Sequence, residues 1–146
     1  MKGKFHGVFS LLIIMFAMLI GLVSIMLHSI QIGLFYITAL FLLPIVVIFS
    51  YCSKCMCRLE DCGHVFPGKI TKLLPKRKVR EYYLKDILGV MIPALILCGF
   101  PQYWLWKCKP LFFIFWALLL IGIAEIYLFV CKKCRNVNCK LCPKNK

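Results

Sequence analysis

The sequence predicts an all-α integral membrane protein in which four transmembrane helices form two hairpins, each followed by a cysteine-rich segment. Hydrophobic residues make up 62% of the 146 residues, and the mean hydropathy of +0.88 is far above that of soluble domains. Four long apolar runs are visible, and eight of the ten cysteines follow the second and fourth of them. These features exclude a water-soluble monomer and a disordered chain.

The apolar runs cover residues 7–27, 33–50, 87–106 and 110–130. The first has 21 uncharged residues, which is enough for a helix rising about 1.5 Å per residue to cross a hydrocarbon core of about 30 Å. A tight connector, 28–32, is expected between the first two spans. Pro93 and Pro101 lie inside the third span, where a membrane helix tolerates them as kinks.

The first span resembles a secretory signal because Lys2 and Lys4 precede it. Its apolar stretch is too long for a signal, however, and no small-residue cleavage site follows, so we expect a retained anchor. The chain then divides into a first hairpin (1–50), a cysteine-rich basic loop (51–86), a second hairpin (87–130) and a cysteine-rich tail (131–146).

The distribution of Lys and Arg predicts the orientation. Two precede the first span, nine lie in the 51–86 loop and six follow Val130, whereas only Lys107 and Lys109 lie at the opposite ends of the spans. Cytoplasmic segments retain basic residues. We therefore expect both termini and the middle loop to be cytoplasmic.

Each hairpin ends in the same pattern. The second span leads into Cys52-Ser-Lys-Cys55 and the fourth leads into Cys131-Lys-Lys-Cys134. Because both hairpins run in the same direction, the match predicts a parallel repeat related by an axis along the membrane normal.

The clustered cysteines predict metal knuckles. They lie on the side of the membrane where thiols stay reduced, which favours metal binding over disulfides. A C-x2-C turn aims two sulfurs at one ion, with Zn–S bonds of about 2.3 Å, and two further ligands complete a tetrahedron. The predicted ligands of the tail are Cys131, Cys134, Cys139 and Cys142.

The predicted ligands of the loop are Cys52, Cys55, Cys62 and His64, with Cys57 as an alternative ligand. A different arrangement is also open, in which the two C-x2-C pairs meet and share one ion. Zinc is the expected metal, since a closed four-ligand site stabilises short segments that have no core of their own. An iron–sulfur cluster is the alternative, although the four-residue gaps do not match ferredoxin motifs.

A juxtamembrane basic segment, 69–86, contains seven Lys or Arg. Its central residues Lys76, Arg77, Lys78 and Arg80 are candidates for binding anionic lipid headgroups, at about 1 kcal/mol per basic residue. Alternatively, these charges only enforce topology. Nucleic acid is not expected as a partner, because basic residues on the inner face need no such explanation.

Three residues stand apart from the clusters. Glu125 is the only ionisable residue inside a span, and an inter-helix or interfacial partner is expected for it in preference to a proton or ion role. Cys98 and Cys108 flank the outer ends of spans three and four; a disulfide between them is possible, but a small apolar role for Cys98 is favoured.

The sequence contains no recognisable motif of a hydrolytic or phosphoryl-transfer site. The protein is therefore not expected to be an enzyme by itself. The leading hypothesis is a small membrane subunit whose structural zinc knuckles dock or scaffold the protein subunits of a larger complex. The alternatives are an electron-transfer subunit carrying iron–sulfur clusters and a module that responds to anionic lipids.

Overall fold

The computed structural model describes residues 2–55, 65–71, 82–134 and Cys139. Its helices are α1 (Lys2–Met26), α2 (Ile30–Ser50), α3 (Val65–Ile70), α4 (Leu84–Gly99), α5 (Gln102–Lys107) and α6 (Lys109–Glu125). A π-helical segment, Ile126–Val130, continues α6, and single 3₁₀ turns cover Cys52–Lys54 and Cys131–Lys133. These described parts of the chain are helical and contain no strand.

Four helical segments of the described chain are long and apolar enough to cross a membrane: Phe5–Met26, Ile30–Lys54, Leu84–Lys107 and Lys109–Val130. The four predicted spans are therefore confirmed, with small differences at their ends. The first connector is shorter than expected, because α2 already begins at Ile30. Span three begins at Leu84, where the Tyr83 N–H donates to Asp86 Oδ2 over 3.0 Å and caps the helix.

The two prolines of the third span behave differently. Pro93 is buried within the continuous helix α4, whereas Pro101 lies between α4 and α5. Pro101 has no N–H to donate to the Leu97 carbonyl one turn earlier. The Tyr36 hydroxyl of α2 donates to this carbonyl instead, over 2.7 Å. A neighbouring helix thus satisfies a backbone group that would otherwise be unpaired in lipid.

The break at Pro101 also decides which helices meet. Helix α4 packs on α2, and after the break α5 packs on α1 and α6. Helix α1 is central, since it contacts α2, α5 and α6. The core lies where these helices cross and consists of Ala17, Met18, Leu105, Phe115 and Leu119. Most other large apolar side chains of the described helices face outward, as expected for contact with lipid.

Candidate functional site

One end of the bundle carries both C-x2-C segments, and we call it the cysteine end. It is formed where α1 and α4 begin and where α2 and α6 finish. His6 near the start of α1 contacts Glu125 at the end of α6, and Lys54 just after α2 contacts Asp86 in the first turn of α4. The two hairpins therefore meet at this end through polar contacts.

The first cysteine turn, Cys52–Cys55, is a single 3₁₀ turn. The Cys55 N–H donates to the Cys52 carbonyl over 3.2 Å and closes the turn. Ser53 and Lys54 are buried, and the Ser53 hydroxyl donates back to the Phe49 carbonyl of α2 over 2.5 Å. Both cysteines are half-buried. The side chains between the two cysteines thus hold the turn against the bundle.

The second cysteine turn, Cys131–Cys134, has the same backbone conformation. The Cys134 N–H donates to the Cys131 carbonyl over 3.1 Å. Cys134 has φ −69° and ψ 132°, the same values as Cys55 in the first turn. Cys131 and Cys134 are likewise half-buried. The sequence match between the two segments therefore extends to their local geometry.

Lys54 anchors the first turn to the start of α4. Its Nζ lies 2.5 Å from Asp86 Oδ2, and the two side chains are 9% and 5% exposed. The same ammonium group lies 5.2 Å from the centre of the Tyr83 ring. Asp86 is also the residue that caps α4. One carboxylate thus joins the first cysteine turn to the start of the third span.

Cys139 connects the tail to the first cysteine turn. It is buried, and its Sγ lies 3.2 Å from the hydroxyl of Tyr51, the residue before Cys52. The Tyr51 ring stacks on Tyr82 with the ring centres 4.2 Å apart. The second hairpin's tail is therefore in contact with the last residues of the first hairpin.

Glu125 has an inter-helix partner, as expected. Its Oε2 lies 3.1 Å from Nδ1 of His6 on α1, and the imidazole stacks on Phe129 with the ring centres 4.5 Å apart. The π-helical segment that contains Phe129 begins immediately after Glu125. Such segments often occur at functional sites. The sequence offers little to identify His6 as the partner, because 119 positions separate the pair.

The predicted metal ligands are only partly described by the structure. Within the described ranges, no three His, Cys, Asp or Glu side chains lie close enough together to hold one metal ion. Cys52, Cys55, Cys131, Cys134 and Cys139 are all in these ranges, and no three of them form such a group.

The remaining predicted site residues lie outside the described residues. These are the loop ligands Cys62 and His64 with the alternative Cys57, the tail ligand Cys142, and the basic residues Lys76, Arg77, Lys78 and Arg80. The tetrahedral sets proposed for the loop and the tail each include at least one of them.

Cys98 and Cys108 are free thiols, so the possible disulfide between them is not formed. Cys98 packs against the apolar core of the bundle, in agreement with the favoured apolar role. On α5, the aromatic side chains of Tyr103 and Trp106 are exposed, as is common where a membrane helix meets the lipid–water interface.

Comparison with known proteins adds no relative: no family profile, curated protein or solved structure matches the chain. The class of protein follows from the fold alone. Four apolar helices of membrane-spanning length fit an integral membrane protein. One end of its bundle carries two cysteine turns with the same backbone geometry.

Proposed function

We propose that this protein is a small membrane subunit whose cytoplasmic cysteine turns hold structural zinc and form a docking surface for a larger complex. The observation that carries the proposal is the matched geometry of the two turns at one end of the bundle. Both are closed by the same backbone hydrogen bond and leave their cysteines half-buried. The match also supports the proposal that the two hairpins are a parallel repeat.

The anchoring of the first turn favours a binding role over loose cytosolic thiols. Ser53 and Lys54 are buried in the bundle, so the backbone on which Cys52 and Cys55 are mounted is already ordered. Ordering a residue costs about 1 to 2 kcal/mol, and a ligand that binds a preordered turn avoids much of that cost. The position of the cysteines therefore suits metal capture.

Two cysteines are half of a tetrahedral zinc site. Cys62 and His64 would complete the first site, and Cys139 and Cys142 would complete the second. Metal sites are seldom fully assembled before the ion binds, because binding and folding of the ligand segments are coupled. The tail after Val130 has only Val137 and Leu141 as ordinary apolar side chains. Zinc would supply the order that such a segment cannot obtain from a core.

The distribution of polar groups supports a docking role for the cysteine end. The described spans present mainly apolar side chains to their surroundings, whereas the cysteine end carries the turns and the Lys54–Asp86 pair. The loop and tail sequences that follow these turns contain most of the basic residues. A soluble partner would bind at the cysteine end. Anionic headgroups would contact the basic residues Lys76, Arg77, Lys78 and Arg80 of the loop sequence.

Metal analysis of protein purified without oxygen tests the proposal. We expect stoichiometric zinc and a colourless sample. Cys55→Ser and Cys134→Ser should each lower the zinc content, because each removes one thiolate from a closed site. Cys108→Ser is the matched control, since this free thiol lies at the opposite end of the bundle.

Two results would contradict the zinc proposal. A wild-type protein without metal would leave the turns without a structural ion. Iron with acid-labile sulfide and a broad visible absorption band would instead support the electron-transfer subunit.

A further inference from the structure

Tyr51 occupies a special position at the cysteine end. It follows the last residue of α2, directly precedes Cys52, and its hydroxyl lies 3.2 Å from Cys139 Sγ. Its ring is held by the stack on Tyr82, which is only 2% exposed. The Tyr82 hydroxyl reaches back to the Tyr51 carbonyl over 3.5 Å. The direction in which the Tyr51 hydroxyl points is therefore fixed by the bundle.

The chemistry of this contact depends on the state of the sulfur. A neutral thiol can donate or accept, whereas a thiolate can only accept. A phenolic O–H facing a cysteine thiolate therefore becomes the donor of a charge-assisted hydrogen bond. Groups that hydrogen-bond to metal ligands orient those ligands and tune their basicity.

The contact has no equivalent in the second hairpin. Val130 precedes Cys131 as Tyr51 precedes Cys52, and Val130 has no side-chain hydrogen-bonding group. The asymmetry means that the first hairpin holds the tail of the second through Tyr51, while the two turns themselves keep the same backbone.

We propose that Tyr51 is a positioning residue that holds Cys139 of the tail against the first cysteine turn and donates to its thiolate when the tail binds zinc. The metal part of this inference rests on the proposed function. The consequence is that the two cysteine segments form one connected surface, so that a partner would meet both together.

The test is Tyr51→Phe, which removes the hydroxyl and keeps the ring that stacks on Tyr82. With the full-length protein in detergent and a chelator present, the rate at which N-ethylmaleimide modifies Cys139 is measured by peptide mass spectrometry and divided by the rate for Cys98. We expect this ratio to rise several-fold, because release of the tail exposes a thiol that is now only 9% exposed. General loosening of the bundle cancels in the ratio.

Tyr127→Phe is the matched control, since it removes a hydroxyl from an exposed tyrosine near the end of α6. It should leave the ratio unchanged. In zinc-loaded protein, Tyr51→Phe should also weaken zinc binding by about 10- to 100-fold, as loss of a hydrogen bond to a metal ligand commonly does. Competition with a chromophoric chelator measures that change.

The two proposals fail in different ways. Equal labelling ratios in Tyr51→Phe and wild type would overturn the positioning role, even if the wild type binds zinc. A labelling ratio that responds to Tyr51→Phe in a protein that binds no zinc would support the positioning role and reject the zinc site.

Discussion

Lys54 lies within a repeated C-x2-C motif and has a structural role of its own. In a C-x2-C turn, the residues between the cysteines need not interact with anything. Here Lys54 is buried against Asp86, whose carboxylate also accepts the Tyr83 N–H and so caps α4. Because a buried charge is stable only when it is paired, the turn and the helix start depend on each other.

We predict that Asp86→Asn destabilises the bundle by about 3 to 5 kcal/mol, because it leaves the Lys54 ammonium buried without a counter-charge. The amide keeps an oxygen that can still accept the Tyr83 N–H. The measurement is thermal unfolding in detergent, followed by circular dichroism.

The double variant Lys54→Met with Asp86→Asn provides the control. It removes both charges and keeps much of the lysine's volume, so its stability should lie closer to wild type than that of Asp86→Asn alone. Lys54→Met alone completes the comparison. If the stability loss of the double variant equals the sum of the losses in the two single variants, the two residues do not act as a pair.

At the scale of helices, α2 and α4 approach each other closely beside the cysteine end. A Cβ placed on Gly89 would lie only 2.6 Å from Ser50 Cβ and closer still to its hydroxyl oxygen. Glycine at this position therefore sets how closely the end of α2 can approach the beginning of α4. The neighbouring Lys54–Asp86 pair needs that approach in order to form.

We predict that Gly89→Ala destabilises the protein by about 1 to 3 kcal/mol, the usual cost of overpacking. Gly99→Ala on the same helix is the matched control, because nothing lies within 4 Å of its added methyl group. Its effect should stay within about 1 kcal/mol. Thermal unfolding in the same detergent compares the two.

A compensating change sharpens this prediction. Ser50→Gly removes both atoms that the new methyl group would meet, so Gly89→Ala combined with Ser50→Gly should regain much of the lost stability. Equal stability of Gly89→Ala and Gly99→Ala would contradict the close approach of the two helices.

At the scale of the whole molecule, the sequence predicts the spans well because lipid imposes a strong constraint on length and apolarity. The confirmed spans differ from the predicted ones by only a few residues, for example where Asp86 caps α4 and the helix begins at Leu84. The residue pairs that meet at the cysteine end could not be predicted from the sequence. Counting basic residues predicts the side on which Lys54 lies but not that it is buried, and no sequence pattern places Cys139 beside Tyr51.

The candidate site, too, could be predicted only in part from the sequence. The repeated spacing identified the two turns, and the structure gives them the same backbone. Spacing could not decide between separate ions and one shared ion, because that depends on how far apart the ends of α2 and α6 lie. Within the described ranges, no three of these cysteines form a group that could hold one ion, so both arrangements stay predictions.

The distribution of basic residues predicts how the whole molecule is oriented in the membrane. Polar contacts bring the start of α1 and the end of α6 to the same end as the first cysteine turn, and 17 of the 19 Lys and Arg lie in the segments attached to that end: two before span one, nine in the loop and six in the tail. Basic segments are retained in the cytoplasm. We therefore expect Lys107 and Lys109 outside.

A membrane-impermeant amine reagent, applied to intact cells that express the native chain, tests this orientation by peptide mass spectrometry. Lys107 and Lys109 are exposed and should react at once, whereas the exposed Lys85 and Lys132 should react only after permeabilisation. Lys54 is an internal control for burial, since it should react slowly in both conditions. Labelling of Lys132 but not Lys107 in intact cells would reverse the orientation. Labelling of both would contradict the placement of their two ends on opposite sides of the membrane.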